Sequence, residues 1–230
     1  MSRDMSPEDV KQHYITGLGA DLGAYFHELY VEVAWLQDKW REFRELYGAS
    51  SERIDVLNEA ASHFFGIVHG VLWEDTLLHL GRLTDAPEMG KKKNLSLRGL
   101  PVLIVDEAFR VEISSLVELA VAKCAFARDW RNRYIGHRDL SHALDETAAP
   151  LAHASRLSVQ EALDAVSAVI ERVHEKFLGG GIDLRVPGTF GDALDLIRVL
   201  QEGLATQRAR EERLRAGTYL LEDLVPRPPI

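Results

Sequence analysis

The chain is expected to be all-α, an up-and-down helical bundle with an additional C-terminal helix. Three observations predict this. Long segments carry apolar residues every three or four positions, cap and breaker residues sit near the ends of those segments, and no sequence repeat or sustained strand-like alternation interrupts them. With 230 residues and 46% hydrophobic content, one sizeable core can form without metal or disulfide support. Residues 1–180 are expected to make the bundle, and 181–230 a helical extension with an irregular tail.

The first helix has a marked start. Ser6 can cap it, Pro7 suits its first turn, and Glu8 and Asp9 favour its positive end. Tyr14, Leu18, Leu22, Phe26, Leu29, Val33, Leu36, Trp40 and Phe43 then keep one apolar side, so a single helix is expected to run to about Tyr47 and Gly48. Gly17, Gly19 and Gly23 mark a bend or a close helix contact within it. A second helix is expected over residues 51–80, ended by the Gly-Arg-Leu-Thr-Asp-Ala-Pro segment at 81–87. Residues 84–98 read as an extended loop, and its length favours a functional role. A third helix begins between Pro101 and Asp106 and carries Phe109, Ile113, Leu116, Cys124, Ala127 and Trp130. The fourth starts at Ser158, whose side chain and Glu161 form a capping box, and buries Leu163, Val166, Ile170, Val173 and Phe177. A last helix over about 189–215 shows Leu194, Ile197, Leu200 and Leu204 on one side, before Pro226, Pro228 and Pro229 stop regular structure.

Composition narrows the function. Cys124 is the single cysteine, so no disulfide framework forms within one chain, and a reducing compartment is favoured. The polar start and the lack of a membrane-length apolar run predict a cytoplasmic protein without a membrane partner. A net charge of −9 argues against coating nucleic acid with the whole surface, but a cleft responds to its nearby charges. Local basic clusters stand out at Lys91, Lys92, Lys93 and Arg98, at Arg128, Arg131, Arg133 and Arg138, and at Arg208, Arg210, Arg213 and Arg215. Each alone reads more simply as solvated surface. No phosphate-binding glycine loop, serine-centred hydrolase elbow or zinc-ligand signature is present, and the expected cofactor and metal content is none.

The central cluster has the most chemical content. Arginine stays protonated and grips phosphate oxygens through paired donors, whereas histidine can move a proton near neutral pH. Together they suit RNA, whose 2′-hydroxyl lies beside the scissile phosphate. Arg131 and His137 are six positions apart, about 120° around an ideal helix, so they converge only if the helix bends or ends near Gly136 or if a second subunit completes the cleft. Arg133 and His137, four apart, share a helical face without such help. Geometry alone leaves both arginines open. One histidine supplies half of a two-proton scheme, so a symmetric dimer is demanded.

The segment Arg131-Asn132-Arg133-Tyr134-Ile135-Gly136-His137 resembles the Arg–polar–four residues–His signature of the HEPN superfamily. The wider stretch from Trp130 to Asp139 is similar to its abortive-infection U-type (AbiU-like) branch. So are Leu72-Trp73-Glu74-Asp75, Arg82-Leu83-Thr84-Asp85 and Lys92-Lys93-Asn94-Leu95-Ser96-Leu97. The resemblance covers residues from about 10 to 180. It implies a HEPN-like bundle dimer in which Arg131 and His137 are the catalytic pair and Asn132 orients the arginine or contacts substrate. It further implies a metal-independent RNA endonuclease acting as a toxin or phage-defence effector, with an antitoxin or regulatory partner. The competing expectation is a noncatalytic HEPN-like dimer that binds nucleic acid or protein.

Around that pair, Arg128 and Arg138 are expected to give electrostatic support, and Lys91, Lys92 and Lys93 to meet phosphate or keep their loop wet. Tyr134 is a candidate base-stacking residue, although core or interface packing explains it more simply. Glu74 and Asp75 are adjacent on a helix and point differently, so they make no convincing carboxylate metal site.

Overall fold

A computed structural model of the chain describes residues 6–137, 140–144, 149–182, 184 and 191–225. The protein is an all-α helical bundle, and its only strands among the described residues are a two-residue pair. The chain divides into two compact units, residues 1–40 with 72–186 and residues 41–71 with 187–230.

In the first unit, α1 (Pro7–Leu18) starts as expected. Ser6 Oγ accepts from the Asp9 amide at 3.2 Å, and the Asp9 carboxylate accepts from the Ser6 amide at 3.1 Å. The helix does not continue to residue 47. It stops at Leu18, and α2 (Ala20–Tyr47) begins on the far side of Gly19. Gly19 has φ +88°, a conformation that a side chain would strain. At the same corner a Cβ on Gly23 would come within 2.5 Å of the Tyr14 carbonyl oxygen. The apolar period survives the break because α1 and the part of α2 up to Trp40 send their buried residues to one core: Tyr14, Phe26, Leu29, Val33, Leu36 and Trp40.

Helix α3 (Ser51–Leu83) is three residues longer than expected and kinked at Ala61, whose backbone is extended at φ −167°. Its final stretch adds Leu77 and Leu80 to the first core. The loop expected at 84–98 contains more structure than its composition suggested. Strands β1 (Glu88–Met89) and β2 (Lys92–Lys93) pair antiparallel across Gly90, and the short 3₁₀ turns Leu97–Gly99 and Pro101–Leu103 follow. Leu97, Leu100 and Ile104 are buried and anchor this segment.

The expected third helix is divided. α4 (Glu107–Lys123) is capped by Asp106, which accepts from the Phe109 amide at 3.0 Å. Cys124 leaves helical geometry, α5 (Ala125–Trp130) resumes, and a π turn (Arg131–Ile135) follows. After α6 (Leu140–Leu144) comes α7 (Arg156–Leu178). Its cap corrects the sequence reading. Ser155, not Ser158, occupies the cap, and Ser158 supplies the reciprocal partner three residues inside, with bonds of 3.1 and 2.8 Å. Glu161 pairs instead with Lys123 at 2.7 Å. α4 runs along α7 and forms the most extensive helix pair of the unit. Phe109, Ile113 and Ala120 face Leu163, Val166, Ile170 and Val173 in that core, and each large side chain contributes about 1.5–3 kcal/mol of burial.

The second unit contains the end of α2, the start of α3 and α8 (Ala193–Ala216). Its core includes Phe43, Leu46, Leu57, Phe65, Ala193 and Ile197. Asp192 caps α8 by accepting from the amides of Leu194 and Asp195 at 3.0 and 3.2 Å, and the expected start at 189 lies outside the described residues. The tail arginines do not form a free basic patch. Arg208 pairs with Glu59, Arg215 with Glu211, and Arg213 with buried Asp223 at 2.8 and 2.6 Å, while Arg210 donates to the Asp223 carbonyl. Among the described residues no helix is long and apolar enough to cross a membrane.

Candidate functional site

The π turn at Arg131–Ile135 closes with the Gly136 amide donating to the Arg131 carbonyl at 2.8 Å. One extra residue in the turn changes the helical phase, so the ideal 120° separation no longer applies. Gly136 fits tightly here, because a Cβ would stand 3.0 Å from the Arg131 carbonyl oxygen. His137 then lies beyond the helix, exposed to solvent, and forms no hydrogen bond with another described residue. The helix therefore does end near Gly136, but no hydrogen bond joins Arg131 to His137 within the chain.

Arg131 is held elsewhere. Its stem passes over Gly81, where an added Cβ would lie 3.4 Å from the Arg131 Cδ, and its Nη1 donates to both Asp85 carboxylate oxygens at 2.6 Å. Nε donates to Asn132 Oδ1 at 3.0 Å. The two side chains of the ion pair are about one-fifth exposed, so the arginine is positioned without being sealed from solvent. Nη2 has no hydrogen-bond partner among the described residues.

Arg133, the geometric rival, is committed differently. It pairs with Asp129 at 3.4 Å, donates to the Pro150 carbonyl at 3.2 Å, and bonds the Ala149 carbonyl. Asp129 also accepts from the Ala152 amide at 2.8 Å, while Trp130 Nε1 donates to the Ala152 carbonyl at 2.8 Å. Asp129, Trp130 and Arg133 thus fasten the segment leading into α7. Tyr134 is half-buried with its ring edge-on to Trp130. Arg128 donates to Thr84 Oγ1 at 3.0 Å. Arg138 lies outside the described residues. Lys91, Lys92 and Lys93 are exposed on the hairpin and form no ion pair with another described residue.

The residues that fix the arginines were absent from the sequence-derived site. Thr84 and Asp85 hold Arg128 and Arg131, and the signal was available in the Arg82-Leu83-Thr84-Asp85 motif. Arg82 joins a second network. Its Nη2 donates to Glu32 at 3.0 Å, Glu32 meets His79 Nε2 at 2.5 Å, and His79 Nδ1 lies 2.9 Å from Lys39, which pairs with Asp75. Lys39 can only donate, so Nδ1 accepts and Nε2 carries the proton. Burial pushes the His79 imidazole below the usual histidine range. The Lys39 and Arg82 charges act in the same direction, against the Glu32 hydrogen bond. Burial also pushes the Cys124 thiol up to about 12, which suits packing better than nucleophilic chemistry. Among the described residues no group of three or more His, Cys, Asp or Glu side chains is placed to hold a metal ion.

No curated protein and no solved structure matches the chain. A family model, HEPN_AbiU2 (AbiU2), matches residues 19–196, a span that includes Glu32, the Asp85 clamp, the basic hairpin, the π turn and His137. The match covers well over half of the chain, which therefore belongs to the AbiU2 family of HEPN domains.

Proposed function

We propose that the protein is an RNA endonuclease whose active site is assembled from Arg131 and His137 of two identical subunits, acting as a toxin or phage-defence effector. The observation that carries this reading is the state of Arg131: one nitrogen is fixed by Asp85, another by Asn132, and the third faces no described partner. A preorganised guanidinium of this kind can offset charge developing on a phosphate without reorganising during reaction. His137, exposed just past the π turn, is accessible for proton transfer.

In the reaction, the 2′-oxygen forms a bond to phosphorus while the bond from phosphorus to the 5′-oxygen breaks. One His137 takes the 2′-hydroxyl proton, and the partner subunit's His137 delivers a proton to the leaving oxygen. The products are a 2′,3′-cyclic phosphate and a 5′-hydroxyl. Arg131 of each subunit supports the pentacoordinate phosphorane. The scheme draws its catalysis from side chains alone and calls for no cofactor.

The test is cleavage of varied RNAs by purified protein in excess chelator, with the product ends identified. Cyclic phosphate ends are expected, with cleavage lost in both Arg131→Ala and His137→Ala while folding is retained. Equal cleavage by the wild type and both variants would overturn the assignment and return the chain to the reading of a noncatalytic binding dimer.

A further inference from the structure

A cavity of about 510 Å³ opens between α2, the hairpin and the 3₁₀ turns, with Tyr25, Pro87, Glu88, Lys93, Asn94 and Val102 among its lining residues. That volume lies within the ordinary range for a small-molecule site. Its walls are mostly apolar, with one half-buried aromatic ring, one side-chain amide, and one acid and one lysine at the hairpin side. The frame is rigid. Tyr25 Oη donates to the Ser96 carbonyl at 2.8 Å and accepts from the Ser96 amide at 3.1 Å, while Asn94 Nδ2 donates to the Ala86 carbonyl at 2.9 Å. Gly99 lies so close to Tyr25 that no Cβ could fit between them.

Charge identifies the occupant. Lys91, Lys92, Lys93 and Arg98 are exposed without an ion pair among the described residues, and Glu88 is the single acid on the hairpin. Strand pleating separates their roles. Glu88 opposes Lys93 and Met89 opposes Lys92, so Glu88 and Lys93 share the face that lines the cavity and Lys92 belongs to the other. Position supplies the last element. Pro87, a wall of the cavity, follows the Arg131-binding Asp85 by two residues, at most about 7 Å of extended chain.

We propose that this cavity is a nucleotide subsite for single-stranded RNA, holding one base against Tyr25 and Pro87 with Lys93 on its phosphate. Stacking on an aromatic ring with cations along the backbone is a general way to hold a single strand. The proposal rests on the ribonuclease reading, because it adds a grip on a base to the phosphate contact proposed for Arg131. It makes the strand, rather than a duplex, the substrate, since a paired base could not enter.

The test uses the full chain carrying His137→Ala, so that bound RNA is not consumed. Anisotropy of a short fluorescein-labelled single strand reads affinity, and photocross-linking of the same strand containing 4-thiouridine reads position. Lys93→Ala is expected to weaken binding about tenfold and Lys92→Ala at most about threefold, although each removes one charge. Val102→Glu, at a residue 80% exposed, is expected to weaken it about tenfold. Cross-links should map to Tyr25 or residues 87–103. Equal effects of the two lysines, no effect of Val102→Glu and cross-links confined elsewhere overturn the subsite while leaving cleavage at Arg131 and His137 intact. Pocket-dependent binding by a wild type that cleaves nothing supports the subsite and removes the nuclease chemistry. Failure to bind any single strand removes the subsite, and cleavage of duplex RNA alone would do the same.

Discussion

Arg131 has three nitrogens that can donate, and Asp85 and Asn132 occupy two of them. A carboxylate beside a phosphate-binding arginine reduces its net charge, but it also removes the orientational freedom that would blunt transition-state stabilisation. Asp85→Asn keeps the shape and removes the charge, and it is expected to lower kcat for RNA cleavage by about 10–100-fold with KM changed much less. Arg133→Ala should act through stability instead, because its partners belong to the segment entering α7. A loss of kcat at an unchanged melting temperature in that variant would contradict this division. Spacing made Arg131 and His137 visible in the sequence. Asp85 was not visible as their partner because it is 46 positions away and becomes a neighbour only when α3 packs against the π turn. His79 gives a pH prediction at the same scale. Its folded pKa is lowered, so the unfolded chain binds the proton more readily. The contribution of neutral His79 is therefore complete above the unfolded histidine pKa of about 6.5 and is lost as pH falls through that value toward the folded one. Melting temperature should drop between about pH 7 and 5, and His79→Gln should flatten that part of the profile. An identical profile in the variant would place the acid sensitivity elsewhere.

At the scale of elements, periodicity and caps located most helices, whereas breaks inside continuous apolar patterns were hidden. Residues 10–40 keep one apolar stripe although Gly19 divides them into two helices, because both bury that stripe in the core of the first unit. Cys124 and Ala61 interrupt helices in the same silent way, since neither residue is a breaker by type. The cap of α7 shows a finer limit. Ser155 and Ser158 both carry a hydroxyl at helix-start spacing, and only the folded backbone decides which takes the cap. Gly19→Ala would force a side chain into φ +88° and is expected to cost about 1 kcal/mol or more, read as a lower urea midpoint at constant m. Gly136→Ala tests the π turn. Its Cβ would press on the Arg131 carbonyl at 3.0 Å, and the turn must give by a few tenths of an ångström where the arginine is positioned. Cleavage is expected to fall about tenfold with stability changed by less than about 1 kcal/mol. Retention of full activity would mean that the turn's geometry is not part of the site.

At the scale of the whole molecule, the proposed chemistry asks for more groups than one chain offers. Cyclisation needs a base and an acid at the same time, yet His137 is the histidine that lies beside the Arg131 turn in sequence, and the two side chains share no hydrogen bond within the chain. A twofold axis near the turn would place the same residues opposite themselves, converting one Arg–His set into two. This arrangement can be separated from a self-sufficient monomer by mixing two inactive proteins. Homodimers of Arg131→Ala contain no catalytic arginine, and homodimers of His137→Ala contain no catalytic histidine. After subunit exchange, a heterodimer again holds one intact Arg131 and one intact His137, contributed by different subunits. Cleavage in the mixture is expected to rise above that of either parent, though far below wild type, because one Arg131 is missing and one of the two proton transfers is left to water. If each subunit used only its own pair, every protomer in the mixture would still lack one member and no activity would return. Different affinity tags on the two variants, with sequential capture on both tags, establish that heterodimers were present. Activity that stays at parental levels in a confirmed heterodimer would mean that one Arg131 and one His137 from different subunits do not make a working site.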